Sequence, residues 1–263
     1  MLVETNCAIA VMAKAPRPGR VKTRLVPPLT PEAASALSAA FLRDITDNIV
    51  RAGRDAAIQG YIAFAPAGFE GLFDGLLAPG TGLVLADGAG DWPRGVEGFG
   101  RCLLHAVEAL FARGHPSVCL LNSDSPTLPT TLLAQAAQAL AEPGDRVVLG
   151  PAEDGGYYLI GVKAPHAHLF ADIAWSTEQV ADQTRERART LGLELVELAT
   201  WYDVDDRAAL GRLLDELAGT APDGRLTPYP APATAAALQQ LDLANSLAAD
   251  AASPISADPG RNP

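Results

Sequence analysis

Cys7-Ala8-Ile9-Ala10-Val11-Met12 is an unbroken apolar run that ends in the loop Lys14-Ala15-Pro16-Arg17-Pro18-Gly19. Apolar residues without alternation, closed by a Pro/Gly turn, read as a strand buried on both faces, the usual state of strands in a parallel sheet. Val118-Cys119-Leu120-Leu121, ended by Asn122-Ser123-Asp124-Ser125-Pro126, repeats the pattern. Between them a helix is expected over 31–52, opened by Thr30 and Pro31 and carrying Leu37, Phe41, Ile45 and Ile49 near a 3.6-residue period. Strands at 57–64 and 83–86, a short helix at 69–77 and a helix at 99–113 stopped by Gly114 continue the alternation. A helix over 130–141 and a strand over 146–149 extend it. This order predicts an α/β fold, a mostly parallel sheet with helices on both faces.

Past Gly150 the polar turn Pro151-Ala152-Glu153-Asp154-Gly155-Gly156 precedes a strand at 157–162, a helix at 178–191, a strand at 194–198 and a helix at 207–217. Residues 1–218 are expected to form one domain. Residues 219–263 form an Ala/Pro-rich tail with a candidate helix over 233–249 and a disordered end.

The chain has 263 residues, 48% apolar and 19% charged, enough for one sizeable core. Its 20 basic and 31 acidic residues give a net charge of −11, which argues against a surface that grips nucleic acid through many phosphate contacts. Cys7, Cys102 and Cys119 form no CxxC pair and stand in apolar surroundings, as expected in a reducing compartment. No leader pattern or run of ~18 apolar residues appears, so a soluble, cytoplasmic protein without a membrane partner is expected. Nothing in the sequence sets an oligomeric state.

Ligands of open α/β sheets sit at the carboxyl ends of the strands, and three loops there carry unusual residues. Five cations fall between Lys14 and Arg24 in an otherwise acidic chain. Lys14, Arg17, Lys22 and Arg24 offer charged donors to phosphate oxygens, Thr23 a hydroxyl, and Gly19 a backbone that can turn close to a ligand. The run matches neither a Walker A loop nor GxGxxG. Asp124 leaves a central strand as a candidate Mg²⁺ ligand, though alone it would serve equally to cap the next helix. In Asp203-Val204-Asp205, extended backbone would send both carboxylates the same way, toward one cation; Asp205 or Asp206 could also cap the helix that follows. Asp154, Gly155, Gly156 and Tyr157 suit a small acceptor, Asp154 by accepting from hydroxyls or taking a proton. Ser176 and Thr177 are expected at the start of a helix, within reach of substrate. His166 and His168 lack a third ligand and read as surface.

In this order the runs KAPRPGRVKTRL, NSDSPTLP, GPAEDGGYYLIG, WST and WYDVDD resemble a bacterial family of glycosyltransferase-like proteins. That family is related to 2-phospho-L-lactate guanylyltransferase and, more distantly, to the molybdenum-cofactor nucleotidyltransferases. The resemblance spans roughly residues 7–217 and implies the GT-A, or nucleotide-diphospho-sugar transferase, fold. It implies a nucleotide whose phosphates are wrapped by Lys14, Arg17, Gly19, Lys22, Thr23 and Arg24. It also implies Mg²⁺ or Mn²⁺ held by Asp124 with Asp203 or Asp205, and an acceptor beside Asp154, Gly155, Gly156 and Tyr157. Where the family carries a Gly-Asp-Leu-Gly-Glu-Arg-like segment, this chain reads Val96-Glu97-Gly98-Phe99-Gly100-Arg101, so the base or ribose contacts of that segment do not carry over. Lys22, Asp124 and Asp154 are the residues expected to carry the chemistry.

Two reactions suit these groups: nucleotidyl transfer from a nucleoside triphosphate to a small phosphorylated or hydroxylated acceptor, with pyrophosphate leaving, or glycosyl transfer from a nucleotide sugar. The number of cations in the first loop favours a triphosphate tail. A nucleotide-binding module without turnover is the non-enzymatic alternative.

Overall fold

The computed structural model describes residues 6–220 and 226–241. Its elements are β1 (Cys7–Lys14), α1 (Pro31–Ala52), β2 (Ile58–Ala65), β3 (Gly82–Leu85), α2 (Phe99–Ala112), β4 (Val118–Leu121) and α3 (Thr130–Ala141). They continue with β5 (Arg146–Pro151), β6 (Tyr157–Val162), α4 (Val180–Thr190), β7 (Glu194–Glu197), α5 (Arg207–Leu217) and α6 (Pro232–Gln240). The seven strands form one sheet in the order β3-β2-β1-β4-β6-β5-β7. Pairing is parallel except where β6 lies antiparallel between β4 and β5. The chain winds outward from β1 through β2 to β3, then returns to place β4 on the other side of β1. β1 and β4 thus lie side by side, both leading to helices on one face, and a crevice opens along the carboxyl ends of β1 to β4.

Helices cover both faces, as a sheet of buried apolar strands requires. One core layer joins Leu37, Phe41 and Ile45 of α1 with Leu133 of α3, Tyr158 of β6, Leu213 of α5 and Leu238 of α6. The other joins Leu104 and Val107 of α2 with Leu120 of β4, Phe170 and Ala188. Cys7 and Cys119 are buried, but Cys102 is only half-buried, because it lies at the start of α2 where the crevice opens. The short helix expected at 69–77 is a single 3-10 turn, Glu70–Phe73, because Gly68 and Gly75 adopt positive φ on either side of it. α4 begins at Val180 rather than 178, since Ser176 takes a left-handed conformation that ends helical hydrogen bonding. The expected helix 233–249 is helical over Pro232–Gln240 and ends in a turn at Leu241; residues 242–249 lie outside the described residues.

α1 carries more than its apolar stripe. The N-cap of α6 is Ala231, which has no side-chain acceptor, and α1 supplies one: Asp44 accepts from the N–H groups of Ala233 at 3.0 Å and Thr234 at 2.6 Å. Asn48 donates to Leu128 O at 2.7 Å and accepts from Thr130 Oγ1 at 2.6 Å, fixing the chain between β4 and α3. Asp44 is fully buried, and burial raises its pKa above the ordinary carboxylate value despite the two amides. Asp44→Ala removes the acceptors for two orphan donors of α6 and is expected to cost about 1–2 kcal/mol in urea denaturation, with faster proteolysis near residue 231. Unchanged stability and cleavage would show that packing alone docks α6.

Candidate active site

The loop after β1 folds back over the crevice through a turn at Gly19, at φ +70°, and the 3-10 turn Thr23–Leu25. Leu25 is fully buried and its N–H donates to Lys22 O, so one apolar anchor holds the end of a polar loop. Lys22 itself lies in the left-handed region, at φ +48°. This conformation turns its side chain inward, under the ring of Phe41, leaving it only 5% exposed.

Two acidic segments approach the same point. After β4, Asn122 N–H donates to Tyr158 O, and Ser125 Oγ donates to Tyr202 O at 2.8 Å. The chain leaving β7 is pinned in turn by Val204 N–H to Asp124 O at 2.8 Å and by Glu153 N–H to Trp201 O at 3.1 Å. Tyr202 and Val204 are buried while Asp203 and Asp205 are partly exposed, the alternation expected of extended backbone. The ammonium of Lys22 sits where the segments meet: 2.6 Å from Asp124 Oδ1, 2.7 Å from Val204 O and 3.3 Å from Asp205 Oδ1. Arg24 Nη1 lies 3.9 Å from Asp205 Oδ2, and Ser123 Oγ donates to Asp124 Oδ1 at 3.2 Å.

These groups border a cleft of about 400 Å³. Lys14, Arg20, Lys22, Thr23 and Arg24 form its cationic wall and Ser123, Asp124 and Asp205 its acidic side. Ala13, Ala63, Ala65 and Ala86, at the carboxyl ends of β1 to β3, form a floor of small side chains, flanked by Met12, Phe99 and Cys102. Of the expected phosphate-binding residues, Arg17 turns away and stacks on Phe69, with its guanidinium carbon 4.1 Å from the ring centre; neither it nor Gly19 borders the cleft. Sequence reading counted Arg20 among the cations but assigned it no role, and it missed the alanine floor and Phe99. Small residues ending three adjacent strands were the visible signal for the floor.

Asp154, Gly155, Gly156, Tyr157, Ser176 and Thr177 do not border the cleft; the two segments that carry them meet at Gly155. Gly155, at φ +88°, packs so closely on the segment before α4 that an added Cβ would lie 2.2 Å from Glu178 O, and its own carbonyl accepts from Ala181 N–H. Asp154 accepts from Gly156 N–H at 2.8 Å. Thr177 Oγ1 donates to Ala174 O and accepts from Gln179 N–H, so it organises the turn before α4. Tyr157 Oη is buried without a hydrogen-bond partner. The edge-on pair Phe99–Trp175, with ring centres 5.7 Å apart, joins this patch to the cleft. Asp203 links the two electrostatically: burial, then Asp205, Asp154 and Asp124, push its pKa up to about 6. Asp205 is raised by burial and by Asp124, against the pull of Lys22.

Asp124 and Asp205 converge on a single cationic nitrogen, so these two carboxylates would suit a hard cation. Among the described residues no three Asp, Glu, His or Cys side chains form a complete metal cage. His166 pairs with Asp145 at the surface.

Residues 49–177 match the family model described as "Uncharacterized protein conserved in bacteria (DUF2064)". That span includes Asp124 and Asp154 but neither the cationic loop nor Asp203 and Asp205. No curated protein matches the chain. Among solved structures, a protein from Desulfovibrio desulfuricans G20 described as a "putative nucleotide-diphospho-sugar transferase" is similar over 90% of this chain and 95% of its own, with 28% identity and a TM-score of 0.71. A cytidylyltransferase from Leptospira borgpetersenii is similar over 92% and 96% of the two chains, with 10% identity and a TM-score of 0.52. CMP:2-keto-3-deoxy-manno-octonic acid synthetase complexed with CTP is similar over 82% of this chain and 100% of its own, with 13% identity and a TM-score of 0.50. No helix of the described residues is long and apolar enough to cross a membrane.

A carboxyl whose pKa is raised by folding stabilises the protein below its unfolded pKa, and that contribution is lost as pH rises through the folded one. For Asp203 the window runs from about pH 4, its ordinary value, to about pH 6. Asp203→Asn is therefore expected to gain on the parent protein across that window, reaching about 1–2 kcal/mol at neutral pH after allowance for solvent screening. Melting temperatures from pH 4 to 8 test this; parallel curves for the two proteins would show that Asp203 titrates normally. The chain thus has the nucleotide-diphospho-sugar transferase (GT-A) fold, and its residues 49–177 match the model of the bacterial family DUF2064.

Proposed function

We propose that the protein is a metal-dependent nucleotidyltransferase that moves a nucleoside monophosphate from a triphosphate to a small phosphorylated or hydroxylated acceptor. The observation that carries this reading is the composition of one cleft wall: Lys14, Arg20, Lys22 and Arg24 face the same space as Asp124 and Asp205. A triphosphate needs several cations around its β- and γ-groups, whereas a nucleotide sugar asks for fewer. The solved relatives fit a nucleotide user of this kind, since two are named for nucleotidyl transfer or CTP and one for a nucleotide-sugar donor.

The chain's residues divide the work. Lys14, Arg20 and Arg24 hold the tail through charge-assisted donors, and the Thr23 hydroxyl adds a neutral one. The alanine floor leaves room for the flat or ring portion of the nucleotide beside Phe99. Asp124 and Asp205 would hold Mg²⁺ or Mn²⁺, which would supply neutralisation of phosphate charge; the acceptor oxygen bonds to the α-phosphorus as the α–β anhydride breaks and pyrophosphate leaves. The turn Asp154-Gly155-Gly156, braced against the segment before α4, presents the acceptor; Asp154 takes the proton when that acceptor is a hydroxyl. Ser176 and Thr177 complete this side.

Pyrophosphate release with each nucleoside triphosphate, Mg²⁺ and a panel of small phospho-acids and hydroxy compounds is the direct test. Turnover with one triphosphate is expected, with Asp124→Asn lowering kcat/KM at least about a hundredfold while the protein stays folded. Arg20→Met is expected to weaken triphosphate binding roughly tenfold, and monophosphate binding less. Consumption of a nucleotide sugar without pyrophosphate from any triphosphate would overturn nucleotidyl transfer in favour of glycosyl transfer.

A further inference from the structure

Lys22 has an ammonium with three protons, and three acceptors surround it: Asp124 Oδ1 at 2.6 Å, Val204 O at 2.7 Å and Asp205 Oδ1 at 3.3 Å. The donor inventory is spent, so in this arrangement Lys22 has nothing to offer a phosphate. It occupies the point between two carboxylates that a bridging cation would occupy. Two positive groups cannot share that point, because a dication bound to the same oxygens would lie within a few ångströms of the ammonium and repel it.

We infer that Lys22 is the resident counter-ion of the Asp124–Asp205 pair, and that a divalent ion bridges these aspartates only when the ammonium swings out of the way. This deepens the nucleotidyltransferase reading and rests on it for the ion's use, but not for the competition itself. The protein without nucleotide then holds its acidic pair neutralised internally and binds free divalent ions weakly. An arriving polyphosphate offers Lys22 a new anionic partner on the same cleft wall, so the ammonium that leaves the aspartates moves to the tail. One side chain thereby couples nucleotide binding to completion of the metal site. The coupling is reciprocal by thermodynamic necessity: whatever displaces Lys22 favours the ion, and the ion favours whatever receives Lys22.

The geometry permits the exchange. Lys22 is held by its tip and by its left-handed backbone, while its neighbours Thr23 and Arg24 border the open cleft. A flexible four-carbon stem can carry the ammonium from one set of oxygens to another without unfolding the loop.

Two experiments without nucleotide test the inference, so its failure is separate from any failure to find a transferase activity. In the first, Mn²⁺ binding is followed by electron paramagnetic resonance in the wild type, Lys22→Met, which keeps the stem and removes the charge, and the double variant Lys22→Met/Asp124→Asn. Lys22→Met should bind Mn²⁺ at least tenfold more tightly than the wild type, and the double variant should lose that gain. Equal or weaker binding by Lys22→Met overturns the inference, as does a gain that survives loss of Asp124. The second uses the unaltered protein, in case Lys22→Met does not fold. The chain has three lysines, Lys14, Lys22 and Lys163, so acylation by acetic anhydride can be assigned to each by peptide mass spectrometry. Lys22 should react at least tenfold more slowly than Lys14 and Lys163. Comparable rates at all three would show that the ammonium does not reside between the aspartates.

Discussion

The ammonium of Lys22 is the meeting point of three chain segments far apart in sequence: the loop after β1, the loop after β4 and the strand-like stretch after β7. Without that positive charge, Asp124 and Asp205 would face each other across a partly desolvated gap, and burial already raises the pKa of Asp205 and of its neighbour Asp203. The backbone reinforces the convergence, since Val204 N–H donates to Asp124 O and Ser125 Oγ donates to Tyr202 O. The rest of the cleft takes its shape from this knot. The cationic wall stands beside it, and the alanine floor extends away from it across the carboxyl ends of β1 to β3.

The sheet makes the convergence possible. Because β1 and β4 lie side by side and parallel, the loops that leave their carboxyl ends start next to each other, and both lead to helices on one face, α1 and α3. The antiparallel β6 brings the Asp154 turn to the same edge, since it enters the sheet beside the carboxyl end of β4. Trp201, bridged to Ala152, carries the acidic stretch after β7 back along that edge. The helices lock the arrangement from below, with polar groups of α1 fixing both the start of α3 and the start of α6.

Much of this was legible in the sequence, for physical reasons. The strands Val118–Leu121 and Tyr157–Val162 and the helices Pro31–Ala52, Thr130–Ala141 and Arg207–Leu217 fall where apolar runs, 3.6-residue periods and capping residues place them. Local signals do not encode strand direction, so β6 read as one more strand and not as an antiparallel insertion. The Asp-Val-Asp alternation was readable because it needs only extended backbone. The partnership of Lys22 with the aspartates was not, because Val204 and Asp205 lie 182 and 183 residues further along the chain. Arg17 looked equivalent to its cationic neighbours, yet it stacks on Phe69 across an unrelated loop. Asp44 is the same kind of case: the helix it caps arrives from the far end of the chain, 189 and 190 residues away, so nothing local marks its role. Cys102 read as core because its neighbours are apolar, although the start of α2 opens onto the cleft.

The central claim is that one cleft holds both the phosphates and the cation. A crystal structure of the protein with Mn²⁺ and a non-hydrolysable nucleoside triphosphate, with data collected at the manganese absorption edge, measures both positions at once. The account requires an anomalous peak at bonding distance from Asp124 and Asp205, with the phosphates against Lys14, Arg20 and Arg24. An anomalous peak or phosphates lodged elsewhere, with the aspartates still closed on Lys22, would contradict it.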